Sequence, residues 1–189
     1  MTRYQLHVQT YRNCQGCELS RTRDTVVFPR GSVPADVVFV GMAPGDSEDV
    51  AGRPFEGPAG HLMDKIIDRA GLNDGRFRYA LTNLVLCRPY EPDGGEKVDE
   101  PAQEHVMACK GRLESFLSIC APRLVVAVGK QPKEWLEPGY KHSVRLPAGA
   151  KLLHIVHPSH LLKGGMPDVQ RDLAARRIVV QIAQALEQL

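Results

Sequence analysis

Phe55, Asn83 and His157 lie far apart in this 189-residue chain, yet each follows or closes an apolar run of strand length. Phe55 belongs to the stretch from Gly41 to Gly60, which comes after the apolar residues 36–40. Asn83 lies in or near the end of residues 78–86, and His157 follows residues 151–156. Open α/β sheets gather the carboxyl ends of their strands at one edge and place ligands there, which would bring the three side chains together. As a trio they suit a nucleobase. A Phe ring stacks on the base, an Asn amide offers a donor and an acceptor to a pyrimidine edge, and a His stabilises negative charge on a carbonyl oxygen. Each alone says little. A buried Asn is either a structural bracket or a ligand contact, and a single His before Pro is commonly a turn residue.

The cysteines are the second chemical group. Cys14 and Cys17 form a CxxC, Cys87 and Cys109 lie far downstream, and Cys120 is left over beside Ala121-Pro122 as a buried bystander. The N-terminus has no export signal, so disulfides are not expected and cytoplasmic residence is the default. A CxxC alone is compatible with redox chemistry, zinc or an iron–sulfur cluster. One close pair with two distant singles points to a metal site, and spacing leaves zinc and iron–sulfur equal.

These residues need elements to hold them. The stretch from Gly41 to Gly60 carries Gly41, Gly45, Gly52, Gly57 and Gly60, which let backbone amides approach a ligand, and Pro44, Pro54 and Pro58, which stiffen it. Leu62, Ile66 and Ile67 then recur at helical spacing. Further helices are expected over residues 2–12, 102–119 and 167–189, with a short one around Trp135. Core strands are expected at 36–40, 78–86, 123–129 and 151–156, with a short edge strand at 25–28. Strands alternating with helices give a single domain over residues 1–189: a three-layer α/β/α sandwich with a central, mostly parallel four-stranded sheet.

The apolar fraction of 43% and charged fraction of 24% fit an ordinary soluble domain, and no run is long enough to span a membrane. A net charge of +2 does not by itself announce nucleic acid. Arg12, Arg21, Arg23 and Arg30, and Arg171, Arg176 and Arg177, form local clusters that a solvated face would explain.

Taken together, the motifs resemble the uracil-DNA glycosylase superfamily, most closely its family 4, the iron–sulfur-containing enzymes. Gly41-Met-Ala-Pro-Gly45, Glu48-Asp49 and Gly52-Arg-Pro-Phe55 look like the first motif. Thr82-Asn83 with Cys87-Arg-Pro89 looks like the second block, and His157-Pro-Ser159 with Leu161-Leu162 like the last. The resemblance implies a monofunctional glycosylase acting as a monomer on uracil-containing DNA and leaving an abasic site. It further implies that Phe55 stacks on the flipped base, Asn83 reads its edge, and His157 bonds to the uracil O2. Met42 and Ala43 would frame the pocket, Glu48 would hold it or position water, and Ser159, His160, Leu161 and Leu162 would form the loop that enters the duplex. Cys14, Cys17, Cys87 and Cys109 would carry a 4Fe-4S cluster of structural role, with zinc as the alternative.

Three departures stand out. Met42 replaces the Glu usual in family 4, which bears on rate and base preference. The segment before Cys109 is long and acidic, with Glu91, Asp93, Glu96, Asp99 and Glu100, so it should point away from phosphates. It also lacks the His-bearing loop of relatives that trap uracil covalently, and His105 is no obvious substitute. Two rival readings remain: a glycosylase for another modified base, and an iron–sulfur module that binds DNA without excision. A CxxC redox protein is disfavoured, because no CxxC here opens a βαβ helix.

Overall fold

Runs rich in Val, Leu and Ala that must be buried on both faces become the parallel strands of a covered sheet. In the computed structural model, which describes residues 1–89 and 100–189, these are β1 (Arg30–Gly31), β2 (Val37–Gly41), β3 (Tyr79–Asn83), β4 (Leu124–Val128) and β5 (Lys151–Ile155). The order across the sheet is β1-β3-β2-β4-β5. β2 to β5 are mutually parallel, and β1 pairs antiparallel with β3 at the edge. Helices α1 (Arg3–Tyr11), α2 (Asp46–Ala51), α3 (Pro58–Arg69), α4 (Gln103–Cys120), α5 (Lys130–Leu136), α6 (Ser159–Leu162) and α7 (Asp168–Glu187) flank it. Among the described residues, no helix is long and apolar enough to cross a membrane.

Strand alternation sorts the core into two halves. Val37 and Phe39 pack with Met63, Ile66 and Ile67 of α3 and with Ile178 and Ile182 of α7. Val38 and Val40 face Leu113, Phe116 and Leu117 of α4 and Trp135 of α5. The result is the expected α/β/α sandwich, with five strands instead of four. The edge strand lies at Arg30–Gly31 and not at 25–28, because side chains hold the earlier segment. The Asp49 carboxylate accepts from the Asp24 and Thr25 amides at 3.0 and 3.1 Å, and Val27 N–H donates to the Leu86 carbonyl. β3 stops at Asn83 although the apolar run continues to Leu86. There the Leu84 and Val85 amides turn to the carbonyls of Gly41 and Met42 at 2.9 and 3.2 Å.

α1 begins at a Thr2–Gln5 capping box and packs on α4 through His7. The His7 ring lies among Tyr4, Tyr11 and Phe116, with Nδ1 3.2 Å from Ser115 Oγ and Nε2 buried without a partner among the described residues. Burial, and then the nearby Arg112 cation, push its pKa down to about 4. The unfolded chain protonates His7 near the ordinary value of about 6.5. The folded state therefore favours the neutral ring. Its full contribution is present above about pH 6.5 and is lost as pH falls toward about 4. Urea midpoints at pH 7, 5.5 and 4.5 should fall more steeply for the wild type than for His7→Phe. Parallel slopes for the two proteins would remove His7 as the acid-sensitive contact.

Candidate active site

The carboxyl ends of β2 and β3 meet where Gly41 lies in register with Asn83. A methyl on Gly41 would overlap Asn83 Oδ1 and stand 2.9 Å from Phe55 Cζ, so the amide and the ring press against the same bare Cα. The strand therefore needs glycine here for space. Asn83 is only 4% exposed, and among the described residues its side-chain amide has no hydrogen-bond partner. A structural bracket would use that amide; here it makes no such bond and is not sealed from solvent.

Phe55 sits at φ 60°, in the left-handed region that a bulky residue rarely holds. Two features keep it there. Arg30 donates from Nε to the Pro54 carbonyl at 2.8 Å and from Nη2 to the Phe55 carbonyl at 3.4 Å, while pairing with Asp64 at 2.6 Å. Gly60, on the first turns of α3, leaves the space that the Phe55 carbonyl occupies. On the other side, the chain leaves β4 through Gly129 at φ 101°, where a Cβ would come within 3.2 Å of the His157 Cβ. The Phe55 and His157 rings are nearly parallel, at 24°, with centroids 6.5 Å apart. The predicted trio is thus assembled at one edge.

His157 has a defined donor. The Ser159 backbone N–H donates to its Nδ1 at 3.1 Å, and Ser159 Oγ is 2.8 Å from the same nitrogen. With Nδ1 accepting, the proton of the neutral ring sits on Nε2. Burial first, then the neighbouring His160, lower the His157 pKa against a smaller opposing effect of Glu48. The site therefore presents a neutral imidazole with an N–H to give.

Glu48 is a positioning residue by geometry. One carboxylate oxygen accepts from Gly45 N–H at 3.1 Å, and the other accepts from the Glu56 and Gly57 amides at 3.2 and 3.4 Å. It cross-braces the glycine loop on both sides of α2. Met42 and Ala43 leave β2 half-buried beside Asn83. The expected DNA-entering loop needs a correction. Residues 159–162 form the helical turn α6 and not an open loop, and Leu161 is 3% exposed, packed in the core with α3 and α7. Leu162, at 38%, and His160 face outward, while Ser159 serves His157.

All five cysteines are free. Burial raises the Cys17 pKa, with further increases from Cys109 and Cys14. Burial pushes Cys87 to about 11, opposed by Arg23 and reinforced by Cys109 and Cys17. Cys14, Cys17, Cys87 and Cys109 thus lie in one region of the fold. Gly16 N–H donates to Cys14 Sγ at 3.4 Å, and Arg23 donates to Cys87 Sγ at 3.3 Å and to the Cys14 carbonyl at 2.6 Å. Glu18, next to Cys17, pairs with His105 Nε2 at 2.9 Å, clamping the knuckle to the helix that carries Cys109. His105 Nδ1 accepts from Ala102 N–H, so both ring nitrogens are used in holding α4. Among the described residues, the group of three whose ligand atoms lie within 4.8 Å of one another is Glu18, Glu104 and His105; no three of the cysteine sulfurs are that close, as a four-thiolate zinc site would require. Cys120 is buried away from them, and burial raises its pKa to about 12.

Several working residues escaped the sequence reading. Arg23 and Arg30 looked like solvated cations but bracket the thiols and Phe55. Arg171 donates to the Leu161 and Met166 carbonyls and ties down the chain after α6. Arg12, Arg21, Arg176 and Arg177 are exposed, as a solvated face requires. Of the acidic segment, Glu91, Asp93, Glu96 and Asp99 lie outside the described residues. Glu100 accepts from Gln131 Nε2 at 2.8 Å.

Against known proteins, the family model of the uracil DNA glycosylase superfamily matches residues 28–177. A type-4 uracil-DNA glycosylase of Thermotoga maritima is 32% identical over 178 residues, covering 90% of this chain and 85% of that protein. The Saccharolobus solfataricus enzyme of the same description is 33% identical over 125 residues, covering 66% of this chain. That of Pyrobaculum aerophilum is 39% identical over 118 residues, covering 62% of this chain. The chain spans little more than half the length of these last two relatives, 55% and 56%.

Proposed function

The chain belongs to the uracil DNA glycosylase superfamily, and we propose that it hydrolyses the N-glycosidic bond of uracil in DNA, leaving an abasic site. The observation that carries this reading is Asn83, 4% exposed, whose Oδ1 presses with the Phe55 ring against the bare Cα of Gly41. A flipped pyrimidine stacks on Phe55 and satisfies that amide with its edge. The neutral His157 gives its Nε2 hydrogen bond to the uracil O2, and that bond strengthens as the leaving base becomes anionic. The sugar passes through an oxocarbenium-like state and is captured by water. Ala43 offers no carboxylate at the strand exit, so catalysis leans on leaving-group stabilisation.

Glu48 holds the loop that shapes this pocket. His160 and Leu162 face the duplex, and Leu162 fills the gap left by the extruded base. Cys14, Cys17, Cys87 and Cys109 hold a 4Fe-4S cluster, which when bound supplies a covalent cross-link between the N-terminal knuckle, the β3 exit and α4. The same reading has the protein act as a cytoplasmic monomer, with one domain carrying both pocket and thiols.

The test is an excision assay on single-stranded and duplex oligonucleotides carrying uracil, hypoxanthine, xanthine or hydroxymethyluracil, with abasic sites revealed by alkali. Release at uracil is expected. Release only at another base would move the specificity to that base, in keeping with Met42. Tight binding without release at any base would replace the enzyme by a non-excising reader. For the thiol site, Cys87→Ser should lower iron and sulfide per chain together with the melting temperature, since it removes both a ligand and a cross-link. An unchanged visible spectrum would take Cys87 out of the ligand set.

A further inference from the structure

Arg112 is buried to 3% exposure in α4, and among the described residues it has no carboxylate partner. Its Nη2 donates at 2.8 Å to the carbonyls of both Asn83 and Leu84, and its Nη1 lies 3.4 Å from the hydroxyl of the fully buried Thr82. One guanidinium thus grips three consecutive residues where β3 ends and the chain turns toward Gly41. The same helix carries Cys109 one turn earlier, and Cys87 lies near enough to the guanidinium to influence it. A buried cation is costly unless hydrogen bonds compensate its lost hydration, and here two carbonyls and a hydroxyl lie within reach of it.

We propose that Arg112 is a positioning residue for base recognition, holding the β3 exit so that the Asn83 amide faces the pocket and tying that exit to the four-cysteine site. The proposal rests on the reading of Asn83 as the residue that contacts the base. Holding the Asn83 and Leu84 carbonyls fixes the backbone from which the Asn83 side chain projects. Because Asn83 is buried against Gly41 and Phe55, a small rotation of that backbone would move the amide out of line with a pyrimidine edge. The planar fork matters as well as the charge, since Nη2 holds the two carbonyls while Nη1 reaches the Thr82 hydroxyl, a spread that a lysine's single ammonium does not reproduce.

The test compares Arg112→Lys, Asn83→Ala and the double variant, all loaded with metal. Readouts are iron and sulfide content, single-turnover excision of uracil from a duplex, steady-state KM and kcat, and equilibrium binding of free uracil. Arg112→Lys should keep wild-type iron and sulfide and an unchanged KM for DNA, while losing about tenfold or more in kcat and in affinity for free uracil. The double variant should be no slower than Asn83→Ala alone, because residues acting through one another do not add. Wild-type excision by Arg112→Lys would overturn the proposal. So would multiplicative losses in the double variant, or activity that falls only in proportion to iron. If Arg112→Lys does not fold, Thr82→Val keeps the cation and removes one of its contacts. A several-fold loss in kcat that vanishes in the Asn83→Ala background then supports the proposal, and a wild-type rate overturns it. If instead Asn83→Ala itself excises uracil normally, the pocket reading fails first and takes this proposal with it.

Discussion

His157→Ala should lower the single-turnover rate of uracil excision roughly 100- to 1,000-fold, the loss expected on removing one preorganised donor from a developing oxyanion, about 3 kcal/mol. The ring is held in place before substrate arrives. Nδ1 is fixed as an acceptor by the Ser159 amide, and Gly129 leaves the room that His157 Cβ occupies. Nothing needs to reorganise as charge develops, which is why the loss should fall on kcat more than on KM. Asn83→Ala should cost a comparable factor, because it removes the amide that the proposed reading sets against the base edge. Both variants should keep the wild-type melting temperature within a few degrees, since neither side chain ties distant parts of the fold together: among the described residues the Asn83 amide makes no side-chain hydrogen bond, and His157 bonds only to its neighbour Ser159. Near-normal excision by both would dismantle the pocket.

Gly41→Ala should be nearly as damaging to excision, about 100-fold, although it adds a single methyl. The new carbon would overlap Asn83 Oδ1 and crowd Phe55 Cζ at 2.9 Å, and neither neighbour has an easy escape. Asn83 is fixed by register to Gly41 itself, and the Phe55 backbone is fixed at positive φ by Arg30 and Gly60. Overpacking of this kind costs about 1–3 kcal/mol of stability. The protein should therefore still fold, with a melting temperature lower by several degrees. Activity and stability part company here: a variant that remains folded but has lost free-uracil binding is the expected result. Full activity in Gly41→Ala would mean that Asn83 and Phe55 do not define the site.

Much of this was legible in the sequence because a parallel sheet covered on both faces leaves continuous apolar runs. Residues 36–40 and 123–129 read as strands for that reason, and the glycine-rich exit after the first of them marked the site. The end of β3 was not legible. Leu84, Val85 and Leu86 are as buried as the strand before them, but their amides bond out of register to Gly41 and Met42, and hydrophobicity does not record which carbonyl an amide finds. Leu161 and Leu162 carry the same side chain, and only the turn of α6 decides that one enters the core and the other faces out. Arg30 and Arg112 were missed for a related reason. Arginine is commonly a surface residue, and its use as a backbone clamp depends on carbonyls brought from elsewhere in the chain.

The distribution of the four thiols also sets a timetable. The ribosome delivers Cys14 and Cys17 first, then β2, Cys87 after β3, and Cys109 only partway through α4. Chains fold as they emerge, from the N-terminus onward. The donor set is therefore completed after the central pair of strands exists and before β4, β5 and His157 have been made. On the proposed assignment of these thiols, metal incorporation would seal the half of the molecule assigned to base reading while the half that supplies His157 is still being synthesised.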